Sequence, residues 1–167
     1  DLRPFLYFLF ASLCLTYLTI NPILKRDAVI YIRQARNFAS GDYVKGLSDY
    51  YPPVFSLLSS CFTVLLSPLS AGRLISIVSG FLIIALLNRF PVRLEANLLE
   101  RSRSSHRDSR IVGFLASLLW IASPLGLSSH CACLSDGLFS AIVFGYYYLL
   151  SCGDQIGRAS CRAGVWL

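Results

Sequence analysis

Residues 5–24 read FLYFLFASLCLTYLTINPIL and contain no charged side chain over 20 positions. A helix of that length rises about 30 Å, at roughly 1.5 Å per residue, which matches the hydrocarbon core of a bilayer. The segment is too long for the apolar region of a cleavable signal peptide, and it lacks an A-x-A-like exit. It therefore predicts a transmembrane helix that the protein retains.

The composition of the chain agrees with a membrane protein. Of its 167 residues 55% are hydrophobic and 14% are charged, which is too apolar for an ordinary soluble domain. The net charge of +6 comes from basic residues between the apolar runs, where positive charge reports membrane topology. We therefore expect membrane lipid, and no nucleic acid, as a partner. The six cysteines contain no C-x-x-C pair and predict neither a zinc site nor a disulfide framework.

The arginine-rich stretch at residues 88–110 decides the predicted topology. Such a loop belongs on the cytoplasmic side of a membrane. This favours an interfacial helix for the apolar run at residues 54–66, which is short, opens after two prolines and carries several hydroxyl side chains. The prediction is an all-α integral membrane protein with about four transmembrane helices, at residues 5–24, 73–90, 111–127 and from about 137. A first external segment, residues 25–72, then carries two interfacial helices, and residues 128–135 form a short external loop.

The first interfacial helix is predicted at residues 28–39. Its apolar face has helical spacing, its polar side chains are expected on the other side, and Gly41 is expected to end it. The apolar positions are Ala28, Tyr31, Ala35 and Phe38, and the polar ones are Arg33, Gln34, Arg36 and Asn37.

Two carboxylates are predicted to converge on the external face. Asp27 follows the first transmembrane helix, and Asp136 precedes the fourth. A pair of acids there can take a proton from an acceptor group or hold a divalent cation against a phosphate. The alternative is that each acid caps the helix that follows it.

Other polar residues of this face can have a structural or a functional role. Arg73 is either an interfacial anchor or a contact for a lipid phosphate. Tyr50 and Tyr51 suit an aromatic belt as well as a binding site. His130 is expected to be a hydrogen-bonded polar residue rather than a metal ligand, and Asp42 and Asp49 are expected to be loop residues without a catalytic role.

Four stretches carry a resemblance to a known family. They are DAVIYIRQARNFASGDY at 27–43, YYPPVFSLL at 50–58, AGRLIS at 71–76 and LSDGLF at 134–139. In this order they resemble the amino-terminal module of GT-C glycosyltransferases, in the branch of protein O-mannosyltransferases and lipid A aminoarabinose transferases. The resemblance implies an enzyme that moves a sugar from a polyprenyl-phosphate carrier to an acceptor. The implied site lies on the periplasmic or outer face of a multi-pass protein of a bacterial inner membrane.

The resemblance also implies roles for individual residues. Asp27 matches the acid that acts as catalytic base or as a contact to a metal or acceptor, and Asp136 matches a second acid of the same cavity. Arg73 matches an arginine that faces the carrier phosphate, and Tyr50 and Tyr51 match the loop that leads into the second surface helix. Relatives of the mannosyltransferase type often have an acidic pair at the first position, whereas here Ala28 follows Asp27. Relatives also have more membrane helices, so this chain alone is expected to be inactive.

Residues 154–167 differ in character from the rest. The stretch IGRASCR at 156–162 resembles the translation of a sequencing-adapter oligonucleotide. We predict that this tail is not native protein and that residues 1–153 belong to one multi-spanning domain. Two other function classes stay open at this point, a transporter or flippase and a non-catalytic membrane subunit. Charges at helix ends rather than at helix centres favour an interfacial enzyme over a transporter.

Overall fold

A computed structural model of the chain describes residues 3–20, 26–98 and 106–162. All regular secondary structure in these ranges is helical. The helices are α1 Arg3–Ile20, α2 Arg26–Ala39, α3 Tyr43–Leu47, α4 Pro53–Phe62, α5 Pro68–Leu98, α6 His106–Ala122, α7 Pro124–Cys131 and α8 Ser135–Arg162.

Among the described residues, two helices are long and apolar enough to cross a membrane, namely α1 and the part of α5 from Pro68 to Leu94. A third candidate is the pair Asp108–Ala122 and Pro124–Cys131, if the two pieces, bent by 69° at their junction, form one span. The all-helical, membrane-compatible class of the chain agrees with the sequence. Within the described residues α8 is not among these candidates, so the fourth crossing stays a prediction.

The prediction of a single helix at residues 111–127 followed by a loop at 128–135 is wrong. The helix ends at Ala122, and α7 begins at Pro124. Proline has no N–H and favours the first turn of a helix, while the Ser123 hydroxyl accepts a hydrogen bond from the Gly126 N–H at 3.3 Å. Ser123 and Pro124 therefore end one helix and start the next.

The basic stretch at residues 88–110 is also more helical than predicted. α5 continues through Pro91 to Leu98, and α6 already begins at His106. Leucine, arginine, glutamate and alanine dominate residues 93–98, and they are good helix formers. Residues 99–105 of the predicted loop lie outside the described residues.

The segment that was predicted to be external contains two helices where two were predicted, α2 and α4, and the short α3 between them. Gly41 ends α2 as predicted, with φ +81°. The Gly41 N–H donates to the Phe38 carbonyl at 3.0 Å, and the Asp42 N–H donates to the Asn37 carbonyl at 2.9 Å. This is the Schellman arrangement, in which glycine tolerates the left-handed backbone. Pro53 opens α4, again as predicted.

The central core lies where α1, α5, α6 and α7 meet. The buried residues of this core are Leu6, Phe10, Cys14, Ile84, Ile121 and Cys131. His130 is fully buried beside it and joins three elements. Its Nδ1 lies 3.0 Å from the Ser76 carbonyl, and its Nε2 lies 3.2 Å from the Trp120 Nε1–H. A neutral imidazole that donates through Nδ1 and accepts at Nε2 satisfies both contacts, so the prediction of a hydrogen-bonded structural histidine is confirmed.

The predicted tail begins inside α8, which runs to Arg162. Residues 163–167 lie outside the described residues. Whether residues 154–167 are native stays a prediction.

Candidate functional site

A second buried cluster brings distant parts of the chain together at one end of α5. α2, α4, the start of α5 and the segment before α8 all contribute to it. Its buried members are Ala28, Tyr31, Ile32, Phe55, Ile75 and Cys133, with Tyr51, Leu69 and Leu138 packed around them. This packing places the first turn of α2 near the first turn of α8, which are more than 100 residues apart in sequence.

A series of side-chain contacts runs across this cluster from Asp27 to Ser135, the residue before Asp136. The Tyr51 hydroxyl donates to Asp27 Oδ1 at 2.7 Å. The Tyr51 ring meets the Tyr31 ring edge-on, with 5.3 Å between the ring centroids. The Tyr31 hydroxyl and the Ser135 hydroxyl are hydrogen-bonded at 2.7 Å, and Asp136 is the next residue. We call Asp27, Tyr51, Tyr31, Ser135 and Asp136 the polar chain.

Electrostatics agree with this proximity. The pKa of the Tyr31 hydroxyl is raised, first by burial, and further by the negative charges of Asp136 and Asp27. The pKa of the Tyr51 hydroxyl is raised because it donates its proton to the Asp27 carboxylate. Both phenols are therefore protonated at neutral pH, and both acids lie within electrostatic reach of one tyrosine.

Neither acid is the residue that precedes its helix. Asp27 lies in the first turn of α2, and Asp136 lies in the first turn of α8. A negative charge in the first turn is favourable for a helix, so a stabilising role remains for both residues. Both are exposed, so each carboxylate also remains accessible from outside.

Arg73 lies in the first turns of α5 and carries a polar atom without a partner. Its Nε is buried and has no hydrogen-bond partner among the residues that the structure describes. Burying an N–H of a charged group without a partner is costly. An anionic ligand that accepted this hydrogen bond would remove the cost.

The neighbouring backbone holds Arg73 close to the segment that leads to Asp136. A Cβ added at Gly72 would come within 2.2 Å of the Cys133 Sγ, so α5 and this segment are in direct contact. Burial raises the pKa of the Cys133 thiol to about 11, and the nearby charge of Arg73 opposes that rise. Cys133 itself has a left-handed backbone, with φ 57°.

Tyr50, Asp42 and Asp49 lie outside the polar chain. Tyr50 is 100% exposed and touches the polar chain only through an edge-on contact with Tyr51 at 6.4 Å between centroids. Asp42 caps α3 by accepting from the Lys45 N–H at 3.1 Å, and it pairs with the Lys45 ammonium at 2.8 Å. Asp49 pairs with Arg33. Asp42 and Asp49 therefore both have structural contacts. The expectation that they have no catalytic role stays a prediction.

One important residue, Gln34, was assigned to the wrong face. The prediction placed it on the polar side of α2, but it is fully buried. Its Nε2 donates to the carbonyls of Gly46 and Tyr51, each at 3.2 Å, and its Oε1 accepts from the Ser56 hydroxyl at 2.9 Å. The spacing contained the signal, because residue 34 is three positions after Tyr31 and four before Phe38, both on the buried face. Gln34 holds the backbone of Tyr51, and hence its hydroxyl, against Asp27.

Among the described residues, no group of three or more His, Cys, Asp or Glu side chains could hold a metal ion. Magnesium is often held by only one or two carboxylates together with phosphate oxygens of a substrate. The two acids of the polar chain suit only that second kind of site.

Comparisons of the chain with family models, curated proteins and solved structures give no match.

Proposed function

We propose that this chain is part of an integral-membrane glycosyltransferase that takes a sugar from a polyprenyl-phosphate carrier. The observation that carries the proposal is the polar chain, which connects Asp27 to the segment of Asp136 at one end of the candidate spanning helices. Three of the four sequence stretches that resemble GT-C enzymes contribute the residues of the polar chain, and the fourth contributes Arg73. Their order along the chain and their meeting at one end support the proposal together.

In the proposed reaction Asp27 acts as general base. Its carboxylate takes the proton of an acceptor hydroxyl or amine while the acceptor atom attacks the anomeric carbon of the sugar. The new bond forms as the bond from the anomeric carbon to the phosphate oxygen breaks, and the electron pair leaves with the phosphate. This displacement inverts the anomeric centre, and it needs no acid on the leaving side because a phosphate departs readily as an anion.

Tyr51 and Gln34 position the base. The Tyr51 hydroxyl uses one lone pair of Asp27 Oδ1, and Gln34 holds the Tyr51 carbonyl. A hydrogen bond of this kind fixes the carboxylate without taking its proton-accepting capacity, because a carboxylate has about four acceptor sites. Asp27 therefore stays available to the acceptor.

Arg73 supplies the positive charge for the carrier phosphate. A planar guanidinium forms paired hydrogen bonds with phosphate oxygens, and the buried Nε of Arg73 has a donor to offer. The Asp136 carboxylate lies on the same side and suits contact with a sugar hydroxyl, or with a divalent cation bound to the phosphate.

The test measures sugar transfer by the full-length enzyme, since the resemblance implies further membrane helices. Purified protein is given a panel of radiolabelled polyprenyl-phosphate sugars, and loss of label from the lipid is followed. Removing a general base typically lowers the rate by about 10²- to 10⁴-fold, so Asp27→Asn is expected to fall in that range.

Asp42→Asn is the matched control. It removes the same charge from the same external segment, and asparagine is also a good helix cap, so α3 is preserved. Wild-type rates are expected for this variant. Equal rates for Asp27→Asn and wild type would overturn the assignment of the base. Failure of every lipid-linked sugar to lose label would overturn the proposed function.

A further inference from the structure

The polar side of α4 faces the protein rather than water. Ser56 and Ser59 are both buried. The Ser56 hydroxyl donates to Gln34 Oε1 on α2 at 2.9 Å, and the Ser59 hydroxyl donates to the Phe55 carbonyl at 2.8 Å. The Phe55 ring also meets the Tyr31 ring of α2, with 5.2 Å between the ring centroids. The side of α4 that carries these serines therefore packs against α2.

The other side of α4 is apolar and exposed. Val54, Leu58 and Phe62 follow one another at helical spacing and are 58%, 41% and 40% exposed. In the turn after the helix, Val64 and Leu65 are 87% and 86% exposed. A helix on the surface of a water-soluble protein has its apolar side inside and its polar side outside. In α4 this arrangement is reversed.

The polar groups of this segment have partners within the protein. The hydroxyls of Ser60 and Thr63 donate to the carbonyls three residues earlier, at 2.7 and 2.6 Å. The N–H groups of Leu65 and Leu66 both donate to the Phe62 carbonyl, at 3.1 and 3.0 Å. Hydrocarbon accepts a polypeptide only where such groups are satisfied internally. These groups of α4 and its turn need no water.

The same segment leads directly into a candidate membrane span. The part of α5 from Pro68 to Leu94 is long and apolar enough to cross a membrane. Leu74, Val78 and Leu82 form an exposed apolar stripe along it, at a spacing of four residues. Residues 50–72 contain no charged side chain. A bilayer around α5 therefore lies next to the exposed side of α4, and no charge on the connecting chain opposes contact with it.

α2 has the opposite arrangement from α4. Its apolar residues Tyr31 and Phe38 are buried, while Arg33 and Arg36 are exposed. Guanidinium groups are costly to place in hydrocarbon. The sequence predicts that both helices lie in the membrane interface, yet the apolar side of α2 is already packed against the protein.

We propose that the exposed side of α4 and the turn that follows it are inserted among the acyl chains of the membrane, and that α2 packs on α4 and faces water. Of the two predicted interfacial helices, α4 then contacts lipid and α2 does not. This placement does not depend on the proposed glycosyltransferase activity.

The test measures the surroundings of single positions in the purified chain, reconstituted in phosphatidylcholine bilayers. A nitroxide spin label is attached to one introduced cysteine. Cys61→Ser, Cys152→Ser and Cys161→Ser direct the label to that cysteine, while the three buried cysteines are kept. Relaxation of the label is measured with oxygen, which concentrates in hydrocarbon, and with a water-soluble nickel chelate.

Leu65→Cys probes the turn, and Leu58→Cys probes the helix itself. Both labels are expected to relax more with oxygen than with the nickel chelate. Val29→Cys is the matched control, because Val29 is also apolar and 53% exposed but lies on the same side of α2 as Arg33. Its label is expected to relax more with the nickel chelate.

Three results would overturn the proposal. Nickel access at position 58 or 65 equal to that at position 29 would place α4 in water. Little access of either reagent to positions 58 and 65 would show that protein, such as a second copy of the chain, covers this side instead of lipid. Oxygen access at position 29 equal to that at position 65 would contradict the water-facing placement of α2.

Discussion

Replacement of Gln34 by leucine tests how the candidate site is held together. Leucine keeps most of the volume of the side chain but removes two donors and one acceptor from a fully buried position. The carbonyls of Gly46 and Tyr51 would each lose the hydrogen bond from Gln34. Ser56 would lose less, because its hydroxyl also lies 3.2 Å from the Tyr31 carbonyl.

The magnitude follows from the two carbonyls. A buried acceptor left without a partner costs about 1–3 kcal/mol, and the added apolar contact of leucine offsets part of the sum. We expect a net loss of about 3 kcal/mol, concentrated in the segment that contains α3 and Tyr51. Because 1.4 kcal/mol is a factor of ten, amide exchange in residues 43–51 should accelerate roughly 100-fold where it proceeds through local opening.

Hydrogen exchange with mass spectrometry on the purified chain measures this effect segment by segment. Arg36→Leu is the control on the same helix, because Arg36 is exposed. If exchange in residues 43–51 rises no more for Gln34→Leu than for Arg36→Leu, Gln34 does not hold this segment and the reasoning is wrong.

Three further predictions concern packing, ionisation and the polar chain. Gly80→Ala should lower the free energy of unfolding by about 1–3 kcal/mol in thermal unfolding, because the added Cβ would come within 2.3 Å of the buried Phe10 ring of α1. Gly145→Ala is the control: the added Cβ would have no neighbour closer than 4.0 Å, so this change should raise the free energy of unfolding by about 0.5–1 kcal/mol. The pKa of the Cys133 thiol is raised to about 11 in the folded state, against 9.0 for the free thiol, so its contribution to stability should be complete below pH 9 and lost as the pH rises through 11. A denaturation series over that range checks the sign. The slope should become smaller in the Cys133→Ala variant, in which Tyr31 and Tyr51, whose pKa values are also raised, still titrate. In the transfer assay Tyr51→Phe should lower turnover about tenfold, because the Tyr51 hydroxyl donates to the Asp27 carboxylate. Tyr50→Phe should leave turnover unchanged, because the Tyr50 side chain is fully exposed. Equal effects of the two changes would contradict the role of Tyr51.

The features that the sequence predicted correctly depend on local patterns. Helical spacing identified the buried side of α2, from Ala28 to Phe38. Gly41 and Pro53 mark helix boundaries through their own backbone preferences, which need no tertiary context. The expectation that Asp27 and Asp136 converge on one membrane face rested only on the alternation of helix directions. The hydrogen bond between Tyr31 and Ser135 shows that their two segments are in contact, while the membrane face stays a prediction.

The features that escaped prediction depend on competition between local signals. Ser123 and Pro124 lie within an apolar run, and the run suggested one continuous helix although the Ser-Pro pair favours a break. Gln34 was judged by its polarity rather than by its position on the helix, yet a buried polar side chain is acceptable when its hydrogen bonds are satisfied. Around Pro91, good helix formers outweighed the charge pattern that suggested a loop.

The bend between α6 and α7 determines where α8 begins along the direction of the α6 axis. An eight-residue helix is about 12 Å long, so a straight continuation of α6 would carry the chain that much farther along the helix axis. At 69° only about 4 Å of that length is directed along the axis, and the rest crosses sideways toward α5. Because of the bend, α7 runs mostly across the axis of α6 rather than along it, and α8 begins where Ser135 can form its hydrogen bond with Tyr31. A substitution that straightened this junction would lift Asp136 away from Asp27 without altering either acid.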